Sequence, residues 1–68
     1  MSEIAKLSGN VKAFASSLLE KASSQELDQL SHAGEPDQKE LEEWSISSEE
    51  WNQAVQAALA DRMADRAP

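Results

Sequence analysis

Residues 46–63 read ISSEEWNQAVQAALADRM, and this segment is the strongest indication of the fold class. Ser47 and Glu50 have the Ser-x-x-Glu spacing of a capping box, in which each side chain accepts a hydrogen bond from a free backbone N–H at the start of a helix. Ile46 precedes the cap and is placed to pack against Trp51. Apolar side chains then recur at helical spacing, at Trp51, Val55, Ala58, Leu59 and Met63. The stretch therefore predicts a helix that runs almost to the end of the chain.

Two shorter helices are expected upstream of this one. Ser23 and Glu26 repeat the capping-box spacing, which predicts the start of a second helix. Gly34 is expected to end that helix in the left-handed conformation. Pro36 suits a first helical turn, so a third helix is expected to begin there. The apolar residues that this third helix turns inward are Leu41 and Trp44.

The first third of the chain carries one apolar stripe. At 100° per residue its members fall within an arc about 140° wide. They are Ile4, Leu7, Val11, Phe14, Leu18 and Leu19. Gly9 interrupts the stripe at a cost of about 1 kcal/mol relative to alanine, yet the stripe keeps its phase across the glycine. We therefore expect one helix here, with a weak point or a late start near Asn10.

These patterns predict an all-α fold, a small bundle of three to four helices. No stretch of the sequence alternates apolar and polar residues as a strand would. The helices are expected over about residues 3–22, 24–33, 36–44 and 48–65, within one helical domain of residues 1–66 followed by a frayed tail at 67–68. A chain of 68 residues buries only about 60% of the surface exposed by its unfolded form, which leaves little room for a deep cleft.

Negative charge is concentrated in the middle of the chain. The sequence has 13 acidic and six basic residues, and between positions 35 and 50 only Lys39 is basic. We interpret this region as a surface that binds a larger protein with a basic face, with Trp44 or Trp51 as an aromatic anchor. The predicted partner-binding residues are Glu35, Asp37, Glu40, Glu42, Glu43, Trp44, Glu49 and Glu50. The alternative is a solvated face, with both tryptophans in the core.

Enzymatic chemistry is not expected. The single histidine, His32, is predicted at a helix end beside Ser31, and the fold offers no pocket for a nucleophile. One histidine, no cysteine and no calcium-loop pattern predict neither a metal site nor a cofactor. No apolar run is long enough for a secretion signal or a membrane span, so we expect a cytoplasmic protein without membrane contacts.

Two other interaction classes stay open. The alanine-rich last helix could pack against a second copy of the chain, which would make the protein a structural homo-oligomer, or its alanines could simply face solvent. The protein could also be a helical regulator associated with nucleic acid. Direct binding to nucleic acid is disfavoured, because the net charge is −7 and the short third helix carries mostly carboxylates.

Overall fold

The computed structural model describes residues 3–65, and this part of the chain has an all-α fold without strands. A short 3-10 turn, Ile4–Lys6, comes first. Four α-helices follow: α1 (Gly9–Lys21), α2 (Ser24–Ala33), α3 (Gln38–Trp44) and α4 (Ser48–Asp65). The predicted fold class is thus confirmed. The tail at 67–68 lies outside the described residues.

The long helix α4 forms the centre of the bundle. Helices α1 and α2 both pack against it, and α3 packs against α1. Ala54 and Ala58 of α4 are completely buried, because alanine side chains allow neighbouring helices to approach closely. Leu27 of α2 and Val55 of α4 are the largest side chains in the fully buried part of the core. The buried cluster comprises Ile4, Val11, Phe14, Ala15, Ala22, Leu27, Ile46, Trp51, Ala54, Val55, Ala57 and Ala58.

The prediction of one helix over residues 3–22 is wrong at its N-terminal end. Leu7 and Ser8 are extended, and α1 begins only at Gly9, whose φ of 59° lies in the left-handed region. Glycine enters that region without steric cost, so the chain can change direction there. Ile4 is nevertheless buried, as its place in the apolar stripe predicted. The structure therefore has the late start near Asn10 and not the continuous helix.

The second helix begins where predicted but ends differently. The Ser23 Oγ accepts a hydrogen bond from the Glu26 N–H at 3.2 Å, which caps α2. Gly34 ends the helix with φ −76° and ψ 146°, an extended conformation and not the expected left-handed one. Glycine is needed here for space, because a Cβ atom at Gly34 would lie 2.7 Å from the Leu30 Cα.

The third helix begins two residues later than predicted. The Asp37 carboxylate accepts a hydrogen bond from the Lys39 N–H at 3.1 Å, so Asp37 is the N-cap of α3. Aspartate is among the best N-cap residues, and its position moves the helix start to Gln38. Pro36 consequently precedes the helix and does not occupy its first turn.

Two adjacent residues of α4 connect it to the N-terminal third of the chain. The Arg62 Nη2 donates hydrogen bonds to the carbonyl oxygens of Leu19 and Ala22 at 2.6 and 2.7 Å. These carbonyls lie at the C-terminal end of α1, where backbone acceptors lack partners within the helix. The Asp61 carboxylate accepts hydrogen bonds from the backbone N–H groups of Glu3 and Ile4. Neither contact could be predicted from the sequence.

Candidate functional site

The helix pair α3 and α4 carries most of the predicted partner-binding residues, and a tight turn joins the two helices. The Ile46 N–H donates to the Leu41 carbonyl at 3.0 Å and the Ser45 N–H to the Glu42 carbonyl at 3.3 Å. This is the hydrogen-bond pattern of a Schellman motif, in which the residue after the helix is left-handed. Ser45 has that conformation, with φ 54°. The turn therefore leads directly from α3 into the cap of α4.

Three of the predicted site residues are engaged in stabilising the fold. Asp37 caps α3, as described above. Glu50 and Ser47 form the complete predicted capping box: the Glu50 Oε1 accepts from the Ser47 N–H at 2.9 Å, and the Ser47 Oγ accepts from the Glu50 N–H at 3.2 Å. The Glu40 Oε1 accepts from the Trp51 Nε1 at 3.2 Å. These carboxylates have structural partners, which reduces their availability to another protein.

The other four carboxylates form what we call the exposed acidic set: Glu35, Glu42, Glu43 and Glu49. All four side chains are exposed, and none makes a hydrogen bond or ion pair with another residue in the range 3–65. Lys39 lies three and four positions before Glu42 and Glu43 on α3, but no ion pair joins it to either of them. The negative charge of this set is therefore not neutralised by the described part of the chain.

The positions of these carboxylates relative to the helix dipoles differ. Glu49 lies in the first turn of α4, where negative charge is favourable. Glu42 and Glu43 lie in the last turn of α3, which contains no basic residue. Carboxylates at a helix C-terminus are unfavourable because they meet the negative end of the dipole. Local helix stability thus accounts for Glu49 and does not account for Glu42 and Glu43.

The two tryptophans have different environments. Trp51 is 2% exposed and belongs to the core, so the expectation that it could anchor a partner is wrong. Trp44 is half-buried at the end of α3, and its ring lies 5.4 Å from that of Phe14 at an angle of 58°. Trp44 keeps some accessible surface and directly follows Glu43 in the chain. Trp44 is therefore the aromatic candidate.

The surroundings of His32 do not form a catalytic arrangement. The His32 Nδ1 lies 2.9 Å from the Asp28 carbonyl oxygen, 3.2 Å from the Ser31 Oγ and 3.4 Å from the Asp28 Oδ1. A serine nucleophile and an orienting carboxylate should contact opposite ring nitrogens, whereas here they share one nitrogen. All three residues lie on the outer surface of α2. These contacts are therefore local ones within α2.

Nowhere in residues 3–65 do three or more His, Asp or Glu side chains converge as metal ligands would. None of the helices described is both long and apolar enough to cross a bilayer.

The alanines of α4 were expected either to pack against a second copy of the chain or to face solvent. Three of them are instead buried within the single chain: Ala54, Ala57 and Ala58. The apolar side chains of α4 that keep accessible surface are Leu59, Ala60, Met63 and Ala64, so self-association through α4 stays a prediction with a smaller surface.

Comparisons of the chain with protein-family models, with curated proteins and with solved structures gave no match.

Proposed function

We propose that the protein is a non-enzymatic interaction module that binds a basic surface of a larger protein. The contact would be made by the exposed acidic set, Glu35, Glu42, Glu43 and Glu49, with Trp44 as its aromatic member. Three predicted site residues, Asp37, Glu40 and Glu50, support the surface from within the fold and contribute less to the contact.

The observation that supports this proposal is the position of Glu42 and Glu43. Both are exposed, unpaired among the described residues, and at the end of α3 where they weaken the helix. Each such charge lowers the stability of the helix by about 0.3–1 kcal/mol at low ionic strength. A side chain that destabilises its own helix, with no contact inside the fold to offset that cost, is a candidate for a functional role. A basic partner would supply that compensation.

Trp44 determines which basic side chain would fit best. Arginine stacks on indole rings and pairs with carboxylates through its planar group, so one arginine can contact both. Trp44 is one residue from Glu43 and retains accessible surface. The proposed partner therefore presents arginine, in preference to lysine, to this end of α3.

The experiment is affinity capture from a native lysate followed by mass spectrometry, with the Glu42→Gln/Glu43→Gln variant beside the wild type. A second variant, Glu20→Gln/Glu26→Gln, removes the same amount of charge from exposed positions on α1 and α2 and serves as the control. Glu40 is left unchanged, because its replacement would disturb the Trp51 hydrogen bond. We expect one partner that the first variant loses and the control retains, and that high salt releases. Equal capture by all three proteins, or no partner at low salt, would refute the proposal.

A further inference from the structure

The segment from Glu3 to Ser8, which we call the strap, lies across the outside of the bundle. Its 3-10 turn contacts both α1 and α4. We propose that the strap is a detachable cover, held by Asp61 and hinged at Gly9, whose opening exposes the apolar surface that Ile4 and Leu7 now cover. This inference is independent of the acidic set and of its proposed partner.

Asp61 acts as the latch of the strap. Its Oδ1 accepts from the Glu3 N–H at 2.6 Å, and its Oδ2 accepts from the Ile4 N–H at 3.1 Å. The two N–H groups begin the 3-10 turn and have no partner within it. Hydrogen bonds to a carboxylate are stronger than those to a neutral acceptor. One side chain near the end of α4 thus fixes the first turn of the chain.

Gly9 provides the hinge. Leu7 and Ser8 are extended and make no helical hydrogen bonds to the residues after them, so the strap is not continuous with α1. The φ of Gly9 is 59°, and a Cβ atom built there would meet no other atom within 4 Å. Open space and the conformational freedom of glycine allow the backbone to rotate at this point while α1 stays in place.

The strap covers apolar surface but is itself weakly buried. Ile4 is the one buried side chain of the strap, and Leu7 is half-buried. Between the strap and α4 lies a cleft of about 510 Å³, whose one wall is formed by Glu3, Lys6 and Leu7 of the strap and whose other wall is formed by Asn52, Gln53, Gln56, Ala57 and Ala60 of α4. Opening of the strap would withdraw Ile4 and Leu7 from the core, remove the strap's wall of the cleft and expose the apolar surface that the two side chains cover. Since so few side chains are withdrawn, the opening should need less free energy than unfolding of the whole bundle.

Hydrogen exchange of the full-length protein, followed by NMR, tests this inference. In Asp61→Asn we expect the amides of Glu3, Ile4, Lys6 and Leu7 to exchange about tenfold faster or more, because the charged acceptor is lost. Amides of α2 and of the first half of α4 should keep their wild-type rates. Asp28→Asn, at an exposed position of α2, is the control and should leave the strap amides unchanged.

A second variant distinguishes opening of the strap from a destabilisation of the whole fold by the Asp61 replacement. Ile4→Ala removes the apolar contact and keeps the latch, so it should accelerate the same strap amides selectively. Both variants should increase the fluorescence of the dye anilinonaphthalene sulfonate, which binds exposed apolar surface. Unchanged strap amides in both variants, or acceleration spread evenly over all helices, would overturn the inference, because the strap would then open only with the whole fold.

Discussion

Ser45 adopts a backbone conformation that residues with a side chain disfavour. It has φ 54° and is the one residue other than glycine between positions 3 and 65 with positive φ. The left-handed conformation costs an L-residue roughly 1–2 kcal/mol, and glycine avoids this cost. The Schellman turn between α3 and α4 is therefore held by its hydrogen bonds and by Ile46, against a local conformational cost.

Replacement of Ser45 by glycine should stabilise the protein. We expect Ser45→Gly to raise the free energy of unfolding by about 0.5–1 kcal/mol, since part of the relieved cost is offset by the greater entropy of glycine in the unfolded chain. Urea denaturation followed by tryptophan fluorescence measures the change. Ser45→Ala, which keeps the strain, should show no such gain. A lower free energy of unfolding for the glycine variant would contradict the left-handed turn.

The two glycines should respond to substitution for different reasons. A Cβ at Gly34 would lie 2.7 Å from the Leu30 Cα and 2.8 Å from its carbonyl oxygen, so Gly34→Ala should lower the free energy of unfolding by about 1–3 kcal/mol. At Gly9 there is space, and the cost comes from φ alone. Gly9→Asn should therefore be better tolerated than Gly9→Ala, because asparagine accepts the left-handed region. At Gly34 asparagine should be no better than alanine, and an advantage there would argue against the steric explanation.

Among the interactions that define the ends of the helices, the capping box of α4 is the best defined. Ser47→Ala removes the hydroxyl that accepts from the Glu50 N–H and should cost about 1 kcal/mol of stability. Ser48→Ala, one position further along, is the matched control and should stay close to the wild type, because alanine favours a helix. Circular dichroism during urea denaturation compares the two. Equal losses in both variants would mean that the cap does not depend on Ser47.

The sequence predicted the two helix starts at which a Ser-x-x-Glu spacing marks the cap. The capping boxes at Ser23 and Ser47 involve partners three positions away, so they could be read directly from the chain. The break before α1 could not be predicted in this way. The apolar stripe continues through Gly9, and the hydrogen bonds that stabilise the separate 3-10 turn come from Asp61, which is 57 or 58 residues distant.

The candidate site could be predicted only in part, for the same reason. The surplus of acidic residues between positions 35 and 50 is visible in the sequence, and the structural role of Glu50 follows from its spacing to Ser47. The role of Glu40 does not, because its partner is the Trp51 indole on another helix. Likewise, only the packed structure distinguishes the buried Trp51 from the half-buried Trp44.

Across the bundle as a whole, some acidic side chains stabilise the fold and others do not. Glu42 and Glu43 oppose the dipole of α3, so their replacement by glutamine should leave the free energy of unfolding unchanged or raise it, by up to about 2 kcal/mol at low ionic strength. The same measurement should show that Glu40→Gln, which weakens the acceptor of the Trp51 N–H, is destabilising. If Glu42→Gln/Glu43→Gln were less stable than the wild type, these carboxylates would have a structural role that excludes our interpretation.

The affinity of the captured partner for the two double variants is the decisive measurement for the proposed binding surface. Isothermal titration at low ionic strength should show Glu42→Gln/Glu43→Gln binding about 2- to 30-fold more weakly than the wild type, as expected for the loss of two exposed charge pairs. Glu20→Gln/Glu26→Gln should bind like the wild type. Equal weakening in both variants would mean that net charge alone attracts the partner, and an unchanged affinity in the first would contradict the proposed binding surface.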